Sequence, residues 1–275
     1  MGAPMATNLV KASFPVSVFN RTSSKCRELV QRGVAQCDSL AQLALDSDVV
    51  ITVVADTPDV EEVLFGRDGL APHLRPGSIV VDMSTISPSA TMRFAQRLQE
   101  QRSEMLDAPV SGGESGAIAG TLSIMVGGKR EVYEQCLPLL RAMGRTVVYT
   151  GLNGNGQKTK LVNQVVVALN LLATVEGLRL AAASGLDLQT TLEAVGGGAA
   201  ASWMLSNLGP KIIAGDFRPG FAIRLQQKDL RLASELIKDL GLEAPGTELT
   251  YSLFTAAREK GLGEEGTQGL YQLWN

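Results

Sequence analysis

The sequence predicts an α/β domain with a doubly wound parallel sheet, followed by an all-α domain. Three observations carry this. Runs of β-branched and aliphatic residues at 49–54 and 78–83 lack polar–apolar alternation, which suits strands covered on both faces. Helix-like stretches separate such runs through the first 150 residues, the rhythm of a parallel sheet. After Gly151 that rhythm stops, and helical periodicity runs to the end, broken by glycines at 196–198, 215–220 and 241–246. The expected domains are 1–153 and 154–275.

Taken in order, Pro4 suits the first turn of a helix entered almost at once, where its missing N–H is not needed. A short strand is expected at 16–19, ending at the turn Asn20-Arg21-Thr22, with helices across 25–31 and 39–45. The strand at 49–54 follows. The turn Arg75-Pro76-Gly77 introduces the next at 78–83. Later strands are expected near 105–106, 122–126 and 146–149. The longest helix opens just after Gly154 and Gly156 and runs to about Ser184.

Bulk properties exclude several function classes. The 275 residues suffice for two modest cores, and 45% apolar with 19% charged residues is a globular composition. A net charge of −3, a pI near 5.4 and only 5% aromatics argue against a nucleic-acid surface. Cys26, Cys37 and Cys136 form no CxxC pair, which fits a reducing compartment with neither a disulfide framework nor a zinc site. His73 is the single histidine, so a His-cluster metal site is excluded and Ser-His or Cys-His schemes are weakened. No secretory signal is visible. The apolar run 165–175 carries Asn170 and meets Glu176 and Arg179, too short a stretch to cross a bilayer. A soluble cytoplasmic protein is expected, with this helix buried between domains or subunits.

Four constellations could carry chemistry. At Asn20-Arg21-Thr22 no acid stands at the strand tip; an acid would favour NAD, whereas arginine can receive the 2′-phosphate of NADP. An ordinary solvated arginine is the plain alternative. In 107–113, Ser111 precedes Gly112 and Gly113, and a hydroxyl beside accessible backbone N–H groups can cradle a small carboxylate. A ligand-free turn explains the same residues. Lys160 falls near the start of the long helix with Asn163 and Gln164 on the same face. Burial and the helix dipole would both push a lysine there toward neutrality, fitting it for proton transfer. A surface lysine is the competing reading. Lys228-Asp229 by itself is a charged pair of the usual solvated kind.

Together these stretches resemble the β-hydroxyacid dehydrogenase family over nearly the whole chain. The segment Asp82-Met83-Ser84-Thr85-Ile86-Ser87-Pro88 is similar to its cofactor loop, with Thr85 near the nicotinamide. Residues 107–113 resemble its substrate-carboxylate loop, 154–164 its catalytic-lysine motif, and Lys228-Asp229 the pair that reaches the cofactor. Glu114, residues 120–128 and the order Lys160-x-x-Asn163-Gln164 look most like the 2-hydroxy-3-oxopropionate (tartronate semialdehyde) reductase branch. The 3-hydroxyisobutyrate dehydrogenase and succinic semialdehyde reductase branches are close to it.

The resemblance implies a Rossmann-type doubly wound parallel sheet and a 6-phosphogluconate dehydrogenase-like helical C-terminal domain. It implies hydride transfer between NADP(H), with NAD possible, and a small hydroxy acid or semialdehyde. Lys160 would be the general acid/base, and Ser111, Gly112, Gly113, Asn163 and Gln164 would bind substrate. Gly2, Asn20, Arg21, Thr22, Val54, Thr85, Lys228 and Asp229 would bind cofactor, with no metal, in a homodimer or homotetramer. The chain departs from the family pattern at Met1-Gly2, which stands at the third glycine of the G-x-G-x-x-G fingerprint, so the first strand and two glycines are absent. It departs again at Val54-Ala55, where Leu-Pro is frequent, and at 263–267. A non-catalytic nucleotide-binding or scaffold member is the alternative that the incomplete phosphate loop motivates. An imine reductase is a further one, although that group generally has another residue at the lysine position.

Overall fold

The computed structural model describes residues 1–274 and divides into two compact units, Met1–Lys160 and Leu161–Asn275. Unit 1 runs α1 (Gly2–Lys11), β1 (Ser17–Val18), α2 (Arg27–Gln31), β2 (Ala35–Gln36), α3 (Leu40–Leu45) and β3 (Val49–Thr52). It continues through α4 (Thr57–Phe65), β4 (Ile79–Asp82), α5 (Pro88–Glu100), β5 (Glu104–Asp107) and β6 (Val110–Ser111). Then come α6 (Gly113–Ala119), β7 (Leu122–Gly127), α7 (Arg130–Met143) and β8 (Gly144–Gly151).

Local chemistry sets the helix starts. Asp56 caps α4 by accepting from the Thr57 N–H, and Asp59 bonds back to the Asp56 N–H in a reciprocal capping box. Ser87 caps α5 through the Ala90 N–H, with Pro88 in the first turn.

The sheet is mixed rather than wholly parallel. Strands β3, β4 and β5 run parallel in register, Thr52 beside Asp82 and Asp82 beside Asp107. Strand β7 then runs antiparallel to β5 and β6, its Gly127 facing Asp107 and its Ser123 facing Ser111, and β8 pairs parallel with β7. The physical reason is connection length. The link from Ser111 to Leu122 is shorter than the dozen or so residues that a parallel crossover takes. Strands β1 and β2 form a separate parallel pair, and neither β2 nor β6 was visible in the sequence pattern.

Two apolar layers cover the sheet. Ile79 and Val81 of β4 join Met5, Leu122, Cys136 and Leu140 on one side, while Val80 joins Val60, Leu64, Phe94 and Leu98 on the other. All of β4 is buried, as expected for 78–83; β3 ends earlier than expected, at Thr52, and buries fully only Val50 and Thr52.

The helix α8 (Asn155–Ala183) carries the chain from unit 1 into unit 2. With 29 residues it is long and apolar enough, by length and composition only, to cross a membrane, a test that core helices of soluble proteins also pass; the apolar run 165–175 within it remains shorter than a span. The helix is not buried all round. Ala168, Leu171, Leu172, Val175 and Leu178 enter the unit 2 core, whereas Val162, Val166 and Leu180 are exposed. Unit 2 adds α9 (Leu188–Gly196), α10 (Trp203–Ile213), α11 (Ile223–Asp239) and α12 (Pro245–Ala257), followed by short helical turns at Arg258–Leu262 and Thr267–Trp274. The glycine break at 215–220 falls between α10 and α11, and that at 241–246 runs from the link after α11 into the first turn of α12.

Candidate functional site

In unit 1 the polar groups gather where β3, β4 and β5 end. Asp82 and Asp107 are neighbouring, fully buried carboxylates at the last positions of their strands. The Thr52 hydroxyl and the Ser84 N–H donate to Asp82 Oδ1 at 2.8 and 3.2 Å, and the Val54 N–H donates to Ser84 Oγ at 2.9 Å. The loops after β3 and β4, which carry Val54 and Thr85, are thereby tied together.

Asp107 holds the start of α8. Its Oδ1 accepts from the Gly154 N–H at 2.9 Å and its Oδ2 from the Gln157 N–H at 3.0 Å, pairing donors that a helix start otherwise leaves orphaned. Burial pushes its carboxyl up to about 6, against the lowering effect of those N–H groups, with the neighbouring Asp82 adding to the rise. Gly156 lets the strands and helix meet so closely. A Cβ there would lie 2.5 Å from the Asp107 carbonyl oxygen and 2.6 Å from that of Met125.

Lys160 is 6% exposed, so burial, one of the two influences expected to act on it, is present. Lys160 is the sixth residue of α8, in its second turn. Ser111 closes β6, and Gly112 and Gly113 follow with φ of +129° and +63°, a bend that side-chain-bearing residues resist.

In unit 2 the predicted residues form one polar cluster. Asn163 Nδ2 donates to Gln164 Oε1 at 2.8 Å, and Gln164 Nε2 donates to Asp229 Oδ2 at 2.5 Å and Gln226 Oε1 at 3.4 Å. Lys228 Nζ lies 2.7 Å from Asp229 Oδ1. Asp229 is 1% exposed, so Lys228-Asp229 is not the solvated pair its sequence context suggests. Sequence reasoning gave no role to Gln226, Gln157 or the Asp82 and Asp107 carboxylates. An acid as the last residue of an apolar strand was the available signal.

The groups expected to hold a dinucleotide lie at helix and strand ends. Helix α1 opens at Gly2 with no side-chain cap and no acid in its first turn, a start that favours an anion. A Cβ added at Gly2 would lie 3.9 Å from that of Val53, which places this helix start beside the end of β3. Asn20, Arg21 and Thr22 form an exposed turn after β1, with Asn20 Oδ1 accepting from the Thr22 N–H at 2.9 Å. Thr85 is half-buried in the loop after β4. These residues fit an NAD(P) group.

Comparison with known proteins extends this. Residues 1–151 match the NAD binding domain of 6-phosphogluconate dehydrogenase, and 154–274 match the NAD-binding domain of NADP-dependent 3-hydroxyisobutyrate dehydrogenase. The 2-hydroxy-3-oxopropionate reductase of Escherichia coli is 42% identical over 261 residues, covering 95% of this chain and 89% of that protein. The NAD-dependent L-serine dehydrogenase of Pseudomonas aeruginosa is 35% identical, covering 100% of this chain and 95% of that one. A solved structure described as Psf3 in complex with NADP+ and 2-OPP superposes with a TM-score of 0.93 at 27% identity, covering 100% and 97%. Across both matched regions, this chain belongs to the β-hydroxyacid dehydrogenase family of NAD(P)-dependent enzymes that act on CH–OH groups.

Proposed function

We propose that the enzyme transfers hydride between NADP(H) and a small hydroxy acid or semialdehyde, of the 2-hydroxy-3-oxopropionate reductase or 3-hydroxyisobutyrate dehydrogenase type. The observation that carries this is Lys160, a buried amine on a helix whose start is locked to the ends of β5 and β7. When bound, the nicotinamide supplies or accepts the hydride. Lys160 Nζ holds the proton that passes to the substrate carbonyl oxygen in reduction and takes it back in oxidation. Ser111, with the N–H groups of Gly112 and Gly113, receives the carboxylate. Asn163 and Gln164, three and four residues along the helix from Lys160, orient the substrate. NADP is favoured because Arg21, and no acid, stands in the turn after β1. Cofactor roles for Val54, Thr85, Lys228 and Asp229, a cytoplasmic location and a homodimer or homotetramer belong to the same reading.

The test is Lys160→Ala in the full chain, assayed with tartronate semialdehyde and, separately, NADPH and NADH. Turnover should fall by a factor on the order of 10²–10⁴, the usual share of a general acid/base, while the NADPH Kd stays close to that of the unmodified enzyme. Equal loss of turnover and cofactor affinity would overturn the proton-transfer role. A kcat/KM higher with NADH would overturn the NADP preference.

A further inference from the structure

Thr85 lies between two backbone groups that a single side chain holds. Gln157 Nε2 donates to the Ser84 carbonyl at 2.9 Å, and Gln157 Oε1 accepts from the Ile86 N–H at 3.1 Å. The carbonyl of one residue and the N–H two residues on form the edge of an extended segment. A primary amide, with donor and acceptor side by side, is complementary to it. Gln157 is 0% exposed, so water does not compete for either bond. Its own N–H is held by Asp107, and it precedes Lys160 by three residues, close to one turn, on α8. One residue therefore links the loop of Thr85, the end of β5 and the helix of Lys160.

A buried apolar residue of similar size would fill the same space without the cost of desolvating an amide. Asparagine, one methylene shorter, would not reach both backbone groups from this position. What glutamine adds is a fixed register between loop and helix. We propose that Gln157 is a positioning residue that sets the separation between the Thr85 loop and Lys160, and so aligns hydride and proton delivery to the substrate. This rests on the proton-transfer role proposed for Lys160.

The experiment uses the full chain with Gln157→Leu, which removes both bonds at similar volume. Gln157→Glu keeps the acceptor for Ile86 but sets an oxygen against the Ser84 carbonyl, and it carries the same measurements should the leucine variant fail to fold. Thr174→Ala is the control. It removes an intrahelical bond to the Asn170 carbonyl farther along α8. Three readouts are taken: single-turnover NADPH oxidation with tartronate semialdehyde, the NADPH Kd by fluorescence, and amide hydrogen exchange across residues 83–88. The Gln157 variants should slow hydride transfer about ten- to a hundredfold, as expected of a small misplacement. The Kd should move less than about threefold, since a lost positioning contact acts on the chemical step. Amide exchange at Ile86 in Gln157→Leu should quicken by at least about tenfold, because its acceptor is gone. Thr174→Ala, compared at similar loss of Tm, should leave hydride transfer unchanged. An unmodified rate in the Gln157 variants, an equal loss in Thr174→Ala, or unchanged exchange at Ile86 in Gln157→Leu overturns the proposal. Full turnover by Lys160→Ala would instead remove the proton-transfer role, and the exchange measurement would still decide whether Gln157 holds the loop.

Discussion

At the scale of residues, Asp107 shows how one carboxylate can be both useful and costly. It joins the end of β5 to the first turn of α8, but it does so fully buried and beside Asp82. Between the ordinary value of 3.8 and about 6, the folded chain holds a proton at Asp107 that the unfolded chain has released. This contribution to stability is therefore complete at low pH and is lost as pH rises through about 6. A rise from 3.8 to about 6 corresponds to about 3 kcal/mol. Urea unfolding of Asp107→Asn should show a flatter dependence on pH than the unmodified chain between about 4 and 6. Identical slopes would mean that Asp107 does not titrate in that window. The residue was visible in the sequence as the first position of a loop. Its task was not, because the partners at Gly154 and Gln157 lie 47 and 50 positions away.

At the scale of elements, the junction of β5, β7 and α8 holds the site together. Gly154 and Gly156 signalled a close backbone approach before a helix, and Gly156 makes one, within van der Waals reach of two strand carbonyls. Gly156→Ala should destabilise the chain by about 1–3 kcal/mol through overpacking. It should also slow turnover, because the helix must move away from the strands and takes Lys160 with it. A Tm and kcat equal to the unmodified enzyme would show that the junction yields without cost. Other elements were less legible. The expected parallel sheet turned out mixed because the chain returns from β6 to β7 through a short link, and link length is not a hydrophobic pattern. Strands β2 and β6 have two residues each, and neither sits in a β-branched and aromatic run like the Val16-Ser17-Val18-Phe19 that marks the equally short β1.

At the scale of the whole molecule, α8 leaves an apolar stripe in the open. Val162, Val166 and Leu180 are exposed, with Ala173 and Gly177 between them in the same helical rows. Ala173 and Gly177 also line a hollow of about 250 Å³ with residues of α9 and α10. Such a surface is what a homo-oligomer covers. Light scattering of the full chain should give a dimer or tetramer, and Val166→Lys with Leu180→Glu should shift it toward monomer. A monomeric unmodified chain at micromolar concentration would sink this expectation.

The sequence by itself determined the fold class through local periods, glycine and proline, and it pointed to the family through the resemblance of its motifs and their order. All of these survive in one dimension. Only the tertiary structure decided which polar groups are buried together. Asp107 meets Gly154 and Gln157, Gln157 meets Ser84 and Ile86, and Gln164 meets Gln226 and Asp229 through contacts spanning 47 to 73 positions. It also buried Lys160, in the second turn of α8. The physical reason is common to all of these. A polar side chain must find a partner once it leaves water, and which partner is within reach depends on how strands and helices pack.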